Sequence, residues 1–280
     1  MVERTRTIVV RRIVTAVGIL CILAWSLAPV YWVVVTSLKT SQEIYSIPPT
    51  LLPRAPTLDN YRDALFGSQF ARFVLNSFVV ALGVTAVSAV IGALTAYPIS
   101  RMSFPGRATS ARLIVAAYLL PPSLLFIPLF IVLQRLGLID TRIGLVLAYL
   151  TFTVPFCTWM LIGYFRTIPK ELDEAALMDG ASRLQTLTRV VLPIATPGIA
   201  VVALFAFTHA WNEFLYALVY VYSNTSKTFT AGLSGLVMGD TFIWGELMAS
   251  SVIAIAPILI IYIAAQKYIV EGLAAGSVKG

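Results

Sequence analysis

Apolar residues along this chain come in long blocks that charged residues seldom interrupt. No Lys, Arg, Asp or Glu falls between Arg12 and Lys39, Arg72 and Arg101, Arg112 and Arg135, Arg142 and Arg166, or Glu246 and Lys267, and between Arg189 and Lys227 the one charged residue is Glu213. Crossing a ~30 Å hydrocarbon core takes about 20 apolar residues of helix, so each block is long enough to span a bilayer. The pattern predicts six transmembrane helices at about 13–38, 73–100, 113–134, 143–165, 195–222 and 247–266, in one domain covering 1–280. Prolines at 29, 121, 122, 155 and 257 do not veto these spans, because neighbouring helices and water can satisfy the carbonyls that a proline frees. The short alternating segments of a membrane β-barrel are absent. The first block follows basic residues, as in a signal peptide, but it exceeds the usual apolar length and lacks a small-residue cleavage site, so a retained helix is expected.

Composition agrees. Of the 280 residues 59% are hydrophobic and 12% charged, too few charges to cover a soluble domain of this size. An ordinary cytoplasmic enzyme, a disordered chain and a nucleic-acid binder are excluded despite the net charge of +7. The larger share of the 20 Lys and Arg falls in the N-terminal tail, the connection holding Arg101, Arg107 and Arg112, the connection from Arg166 to Arg189, and the C-terminal end. The positive-inside bias therefore places both termini in the cytoplasm. Cys21 and Cys157 lie within apolar blocks and no Cys/His zinc spacing occurs, so neither a disulfide nor a metal site is expected.

The connection after the fourth block has internal order. Ile168-Pro169 opens it, Lys170 to Met178 is rich in helix formers with early acids, Asp179-Gly180 ends that helix, and Ser182 can cap a second one running to Leu192-Pro193. The expected element is a helical hairpin at 168–192 on the cytoplasmic surface. Glu174-Ala175-Ala176, Gly180, Val190 and Leu192-Pro193, at their spacing, closely resemble the EAA motif of ABC-importer permeases, with Val190 where isoleucine is usual.

The resemblance extends over nearly the whole chain and is to the maltose-type carbohydrate permeases, particularly those similar to the maltose G permease. It rests on Pro48-Pro49, Thr57-Leu58-Asp59-Asn60-Tyr61, Asn76-Ser77, Phe104-Pro105-Gly106, Leu120-Pro121, Ile127-Pro128-Leu129-Phe130, Trp211-Asn212-Glu213-Phe214-Leu215 and the ending Glu271 to Gly280. It implies an all-α integral membrane protein with the type I ABC-importer permease fold, acting as one subunit of a sugar importer. A homologous second permease, two ATPase subunits that bind ATP and Mg, and an extracytoplasmic solute-binding protein are implied as partners. The chain itself is expected to bind no cofactor, and it has no GxxxxGK[ST] loop to cradle ATP phosphates. By resemblance, Glu174, Ala175, Ala176, Asp179 and Gly180 couple to an ATPase subunit, and Gly276, Ser277, Val278 and Lys279 form a tail that contacts the ATPases.

Glu213 is the sharpest isolated feature. A carboxylate at bilayer depth costs at least ~2.5 kcal/mol and normally faces a bundle interior or a wet cavity. On a continuous helix, steps of three or four place His209, Asn212, Glu213, Tyr216 and Tyr220 on one face. Such a stripe, with Asn76, could line a sugar path; equally, Glu213 and Asn212 could bond neighbouring helices together. Trp211 points to another face and suits packing. No Lys or Arg lies deep in a span, which favours a neutral sugar over a glycerol-phosphate ester. An ion-coupled secondary transporter with Glu213 and His209 as relay, or a membrane enzyme, are the competing classes. The first lacks the internal repeats usual for such folds, and the second lacks a catalytic constellation.

Overall fold

The computed structural model describes residues 2–238 and 241–277. In chain order the helices are α1 (Val2–Ser37), α2 (Ser41–Ile44), α3 (Asp59–Arg62), α4 (Phe70–Arg101), α5 (Arg107–Leu119), α6 (Pro122–Arg135), α7 (Arg142–Phe165), α8 (Glu171–Met178), α9 (Arg183–Thr186), α10 (Leu192–Ile194), α11 (Thr196–Asn212), α12 (Leu215–Tyr220), α13 (Phe229–Ser234) and α14 (Trp244–Ser277). A two-stranded antiparallel ribbon pairs Val237 with Phe242 and Met238 with Thr241. By their internal contacts the described residues form two compact units, one of those up to 70 with those in 235–255, the other of 71–234 with those from 256 onward.

Four segments are long and apolar enough to cross a membrane unbroken: Arg11–Ser37, Phe70–Arg101, Arg142–Phe165 and Trp244–Lys267. Two bent pairs, Arg107–Leu119 with Pro122–Arg135 and Arg183–Ile194 with Thr196–Asn212, bring the candidate spans to as many as six when each pair is counted as one span. The third and fifth blocks are not single continuous helices. The expected span 113–134 is two helices meeting at 93°. Leu120 precedes a proline and takes an extended ψ of 123°, and Pro121 offers no N–H, so the α5 ladder stops there and Pro122 starts α6 at its first position. The expected span 195–222 is also interrupted. Helix α11 ends at Asn212, Glu213 is extended with ψ 129°, and α12 restarts at Leu215.

In the first unit, the Thr57–Tyr61 segment fastens the following loop to the end of α1. Asn60 Nδ2 donates to the carbonyls of Ser37 (2.9 Å) and Lys39 (2.8 Å), and the Tyr61 and Ser37 hydroxyls bond at 2.7 Å. The buried Lys39 ammonium donates to the Thr50 carbonyl and lies 4.7 Å from the Trp32 ring centroid. The Thr50 hydroxyl bonds Glu43 at 2.7 Å and holds its carboxyl below the usual carboxylate range.

The second unit is built around α7, which packs against α5, α11 and α12. Its core joins Ala93, Ala96 and Tyr97 of α4 to Phe156, Leu161 and Phe165 of α7, with Leu187, Val191 and Val202 from the segment that follows. Small residues let the helices approach closely, and a buried Ser88–Thr153 hydroxyl bond of 2.8 Å pins α4 to α7. At Gly198 in α11 an added Cβ would lie 2.5 Å from the Tyr164 ring. Gly198→Ala is therefore expected to destabilise the chain by about 1–3 kcal/mol, read as a lower thermal midpoint of the detergent-solubilised protein.

Candidate functional site

The hairpin after α7 is built from local capping chemistry. Pro169 lies just ahead of α8, whose N-cap is Lys170, rather than inside its first turn. At the other end Gly180 has φ +83°. Its N–H donates to the Leu177 carbonyl (3.0 Å), while Ala181 N–H donates to Ala176 (3.0 Å), the paired closure of a Schellman motif in which glycine tolerates the left-handed turn. Two residues on, Ser182 Oγ accepts from Gln185 N–H and Gln185 Oε1 accepts from Ser182 N–H, a complete capping box for α9. The helix then widens into a π-turn over Leu187–Val191, where a regular helix was expected, before α10 and an 83° bend into α11.

This construction sorts the motif residues. Glu174, Ala175, Asp179 and Gly180 are exposed and Ala176 is half-buried. Large apolar side chains stand out beside them: Met178 is 88% exposed and Leu184 60%. Small residues, large apolar side chains and two carboxylates are thus exposed side by side on the hairpin. Asp173, expected only as a helix-starting acid, is instead buried. Its Oδ1 accepts from the Tyr97 hydroxyl at 3.1 Å, and its Oδ2 lies 3.5 Å from Arg101 Nε.

The expected stripe in the fifth block is not one helical face. The backbone break at Glu213 rotates the later residues away from the earlier ones. His209 and Asn212 are exposed and Glu213 is half-buried; with Phe205, Thr208, Phe214 and Tyr262 they line an open cavity of about 540 Å³. Tyr216 and Tyr220 are buried, and their hydroxyls donate to the carbonyls of Pro122 (2.6 Å) and Phe126 (2.5 Å) in α6. They tie α12 to α6 and do not line the cavity. Glu213 caps α12: Oε1 accepts from Tyr216 N–H (3.0 Å) and Oε2 from Ala217 N–H (3.1 Å). The Glu213 carbonyl accepts from Thr230 Oγ1 at 2.7 Å. Asn212 bonds back to the Thr208 carbonyl, and the His209 ring sits between Phe152 and Phe205 at 5.2 and 5.3 Å.

Asn76 also lies away from the cavity. It is 3% exposed and donates to the carbonyls of Thr225 (3.0 Å) and Lys227 (2.9 Å), with Arg142 on its oxygen, so it fastens the loop after α12. Trp211 is buried against Phe207 and Phe229. Of the expected tail contact, Gly276 and Ser277 close α14, whereas Val278 and Lys279 lie outside the described residues.

The permease relatives share this sequence nearly end to end. The chain is 38% identical over 255 residues to the sulfoquinovosyl glycerol transport system permease protein SmoH of Agrobacterium fabrum, covering 91% of this chain and 89% of that one. It is 35% identical over 276 residues to the trehalose/maltose transport system permease protein MalG of Thermococcus litoralis, covering 97% and 98%. In fold it matches a chain of a bacterial ABC transporter involved in the import of the acidic polysaccharide alginate, with a TM-score of 0.81 at 23% identity over 92% of this chain and 95% of that one. Residues 88–274 match the family model of the binding-protein-dependent transport system inner membrane component. That stretch runs from the middle of α4 through the hairpin and the cavity into α14, and it carries the architecture of an ABC-importer permease. The chain thus belongs to the family of binding-protein-dependent transport system inner membrane components.

Proposed function

We propose that this chain is one of two homologous permease subunits of an ATP-driven sugar importer in the cell membrane, with both termini in the cytoplasm. Two ATPase subunits carry ATP and Mg, and an extracytoplasmic binding protein delivers the solute. The observation that carries this reading is the projecting hairpin: Glu174, Ala175, Asp179 and Gly180 are exposed on a Schellman-closed turn whose base is buried in the core. Seated in an ATPase subunit, with Glu174 facing a basic residue and the alanines allowing close approach, it passes nucleotide-driven motion to the bundle. The bundle then alternates between inward- and outward-facing states. The Gly276–Lys279 tail adds a second contact with the ATPases.

A sugar is favoured by the trehalose/maltose and sulfoquinovosyl glycerol named for two relatives, and by the cavity at Asn212 and Glu213. That cavity offers an amide, a carboxylate and an imidazole for hydroxyls, and Phe205, Phe214 and Tyr262 for sugar ring faces. No Lys or Arg is among its described lining residues, which favours a neutral solute over a glycerol-phosphate ester. The test is purification with the neighbouring subunits and an ATPase screen over neutral sugars, acidic sugars and phosphodiesters. A neutral sugar is expected to stimulate hydrolysis in the presence of the binding protein. Uptake that survives ATP depletion and collapses with the proton gradient would overturn the reading in favour of a secondary transporter.

A further inference from the structure

Beneath the exposed face of the hairpin lies a polar cluster that the docking surface does not use. Asp173 of α8 accepts the Tyr97 hydroxyl at 3.1 Å and sits 3.5 Å from Arg101 Nε, with side chains of Arg101 and Asp173 only 2% and 7% exposed. The first helix of the hairpin, α8, is thereby joined by a hydrogen bond and an ion pair to the last turns of one transmembrane helix, α4. From the geometry we infer that the Tyr97–Arg101–Asp173 cluster is the joint through which hairpin motion enters α4, with Asp173 and Tyr97 as positioning residues. The inference rests on the hairpin docking proposed above and names the path by which its motion is used.

Two observations, with the general behaviour of buried ion pairs, support a transmitting joint over simple glue. The hairpin already has an apolar attachment, because Ile168, Leu187 and Val191 are buried in the core cluster, so the polar contacts are not needed merely to hold it. A buried ion pair is weak evidence for stability, since desolvation offsets its Coulomb gain, but it fixes geometry and register. The joint is also under-bonded: the Arg101 terminal nitrogens are buried without a hydrogen-bond acceptor among the described residues, and 3.5 Å exceeds the 2.7–2.9 Å of a tight charge-assisted bond. A tighter pairing is open to the cluster after a small hairpin shift. Two discrete pairings of a packed element are what a switching transition uses.

The experiment uses the whole complex with its ATPase subunits, Asn212→Cys as a maleimide reporter read by mass spectrometry, and MgATP with and without the binding protein as the probe. In the wild-type background MgATP is expected to change the labelling rate at position 212. Asp173→Asn is expected to keep the ATPase subunits bound and hydrolysing while the labelling response falls about tenfold. Asp173→Glu should recover part of the response, and Asp173→Asn with Arg101→Gln should be no worse than Asp173→Asn alone. If Asp173→Asn fails to insert, Tyr97→Phe, which deletes one hydroxyl, is expected to give the same loss at smaller size. A full response in the inserted variants, or loss of the ATPase subunits from them, overturns the joint. Absence of ATPase association in the wild type overturns the docking reading beneath it, an outcome distinct from both.

Discussion

Gly180→Val is expected to abolish solute uptake while the chain remains inserted at normal abundance. The φ of +83° at this residue belongs to the left-handed region, where a β-branched side chain costs about 1–3 kcal/mol. The chain relieves that strain by giving up the two closing bonds from Gly180 and Ala181, so α8 and α9 lose their fixed angle. The residue is exposed and an added Cβ would meet nothing within 4 Å, so the loss arises from backbone conformation and not from a clash in the core. Transport and ATPase stimulation in vesicles should fall at least tenfold, about 1.4 kcal/mol of lost coupling. Gly180→Ala should fall between the two, and Glu174→Ala should weaken ATPase association without altering the turn. Normal uptake by the valine variant would mean that hairpin geometry is irrelevant to transport.

Glu213→Ala is expected to lower both stability and transport. Its carboxylate accepts two N–H groups of the first turn of α12, and at bilayer depth those donors have few other acceptors. Leaving buried donors unpaired costs about 1–3 kcal/mol, read as a lower thermal midpoint. Glu213→Gln keeps one amide oxygen for that cap and is expected to retain most of the stability. If the carboxylate also meets the solute, the Gln variant should slow transport about tenfold and alter the preference among sugars, because charged hydrogen bonds are roughly twice as strong as neutral ones. Unchanged rate and selectivity with Gln would confine Glu213 to capping.

These two positions show what sequence can and cannot convey in such a chain. The gaps between charges marked the membrane blocks because exclusion of charge from hydrocarbon is a one-dimensional rule, and four of the blocks are unbroken helices. The hairpin was legible because capping is local: a glycine at the turn and Ser182 three residues before Gln185 are spacing signals. The break at Glu213 carried no proline or glycine to announce it, and residues spaced by three and four read as a continuous helix. A retrievable clue was the carboxylate three residues before Tyr216, the spacing at which it caps that residue's N–H. Pro121-Pro122 was visible, but prolines are tolerated in membrane helices, so composition could not tell a kink from a 93° turn. The burial of Asp173 was not readable at all, because its partner Tyr97 lies 76 residues away. Periodicity puts Tyr216 and Tyr220 on the same face as His209 and Asn212, whereas carbonyls of α6, beside the proline break, draw their hydroxyls the other way.

Seating of the hairpin in a nucleotide-binding partner is the claim on which the transport mechanism depends. A photo-reactive residue at the exposed position Ala175, in the assembled complex in native-like membranes, tests it most directly. A covalent adduct to an ATPase subunit is expected, with a yield that changes between nucleotide-free and MgATP conditions. Adducts confined to lipid or water in every nucleotide state would contradict it.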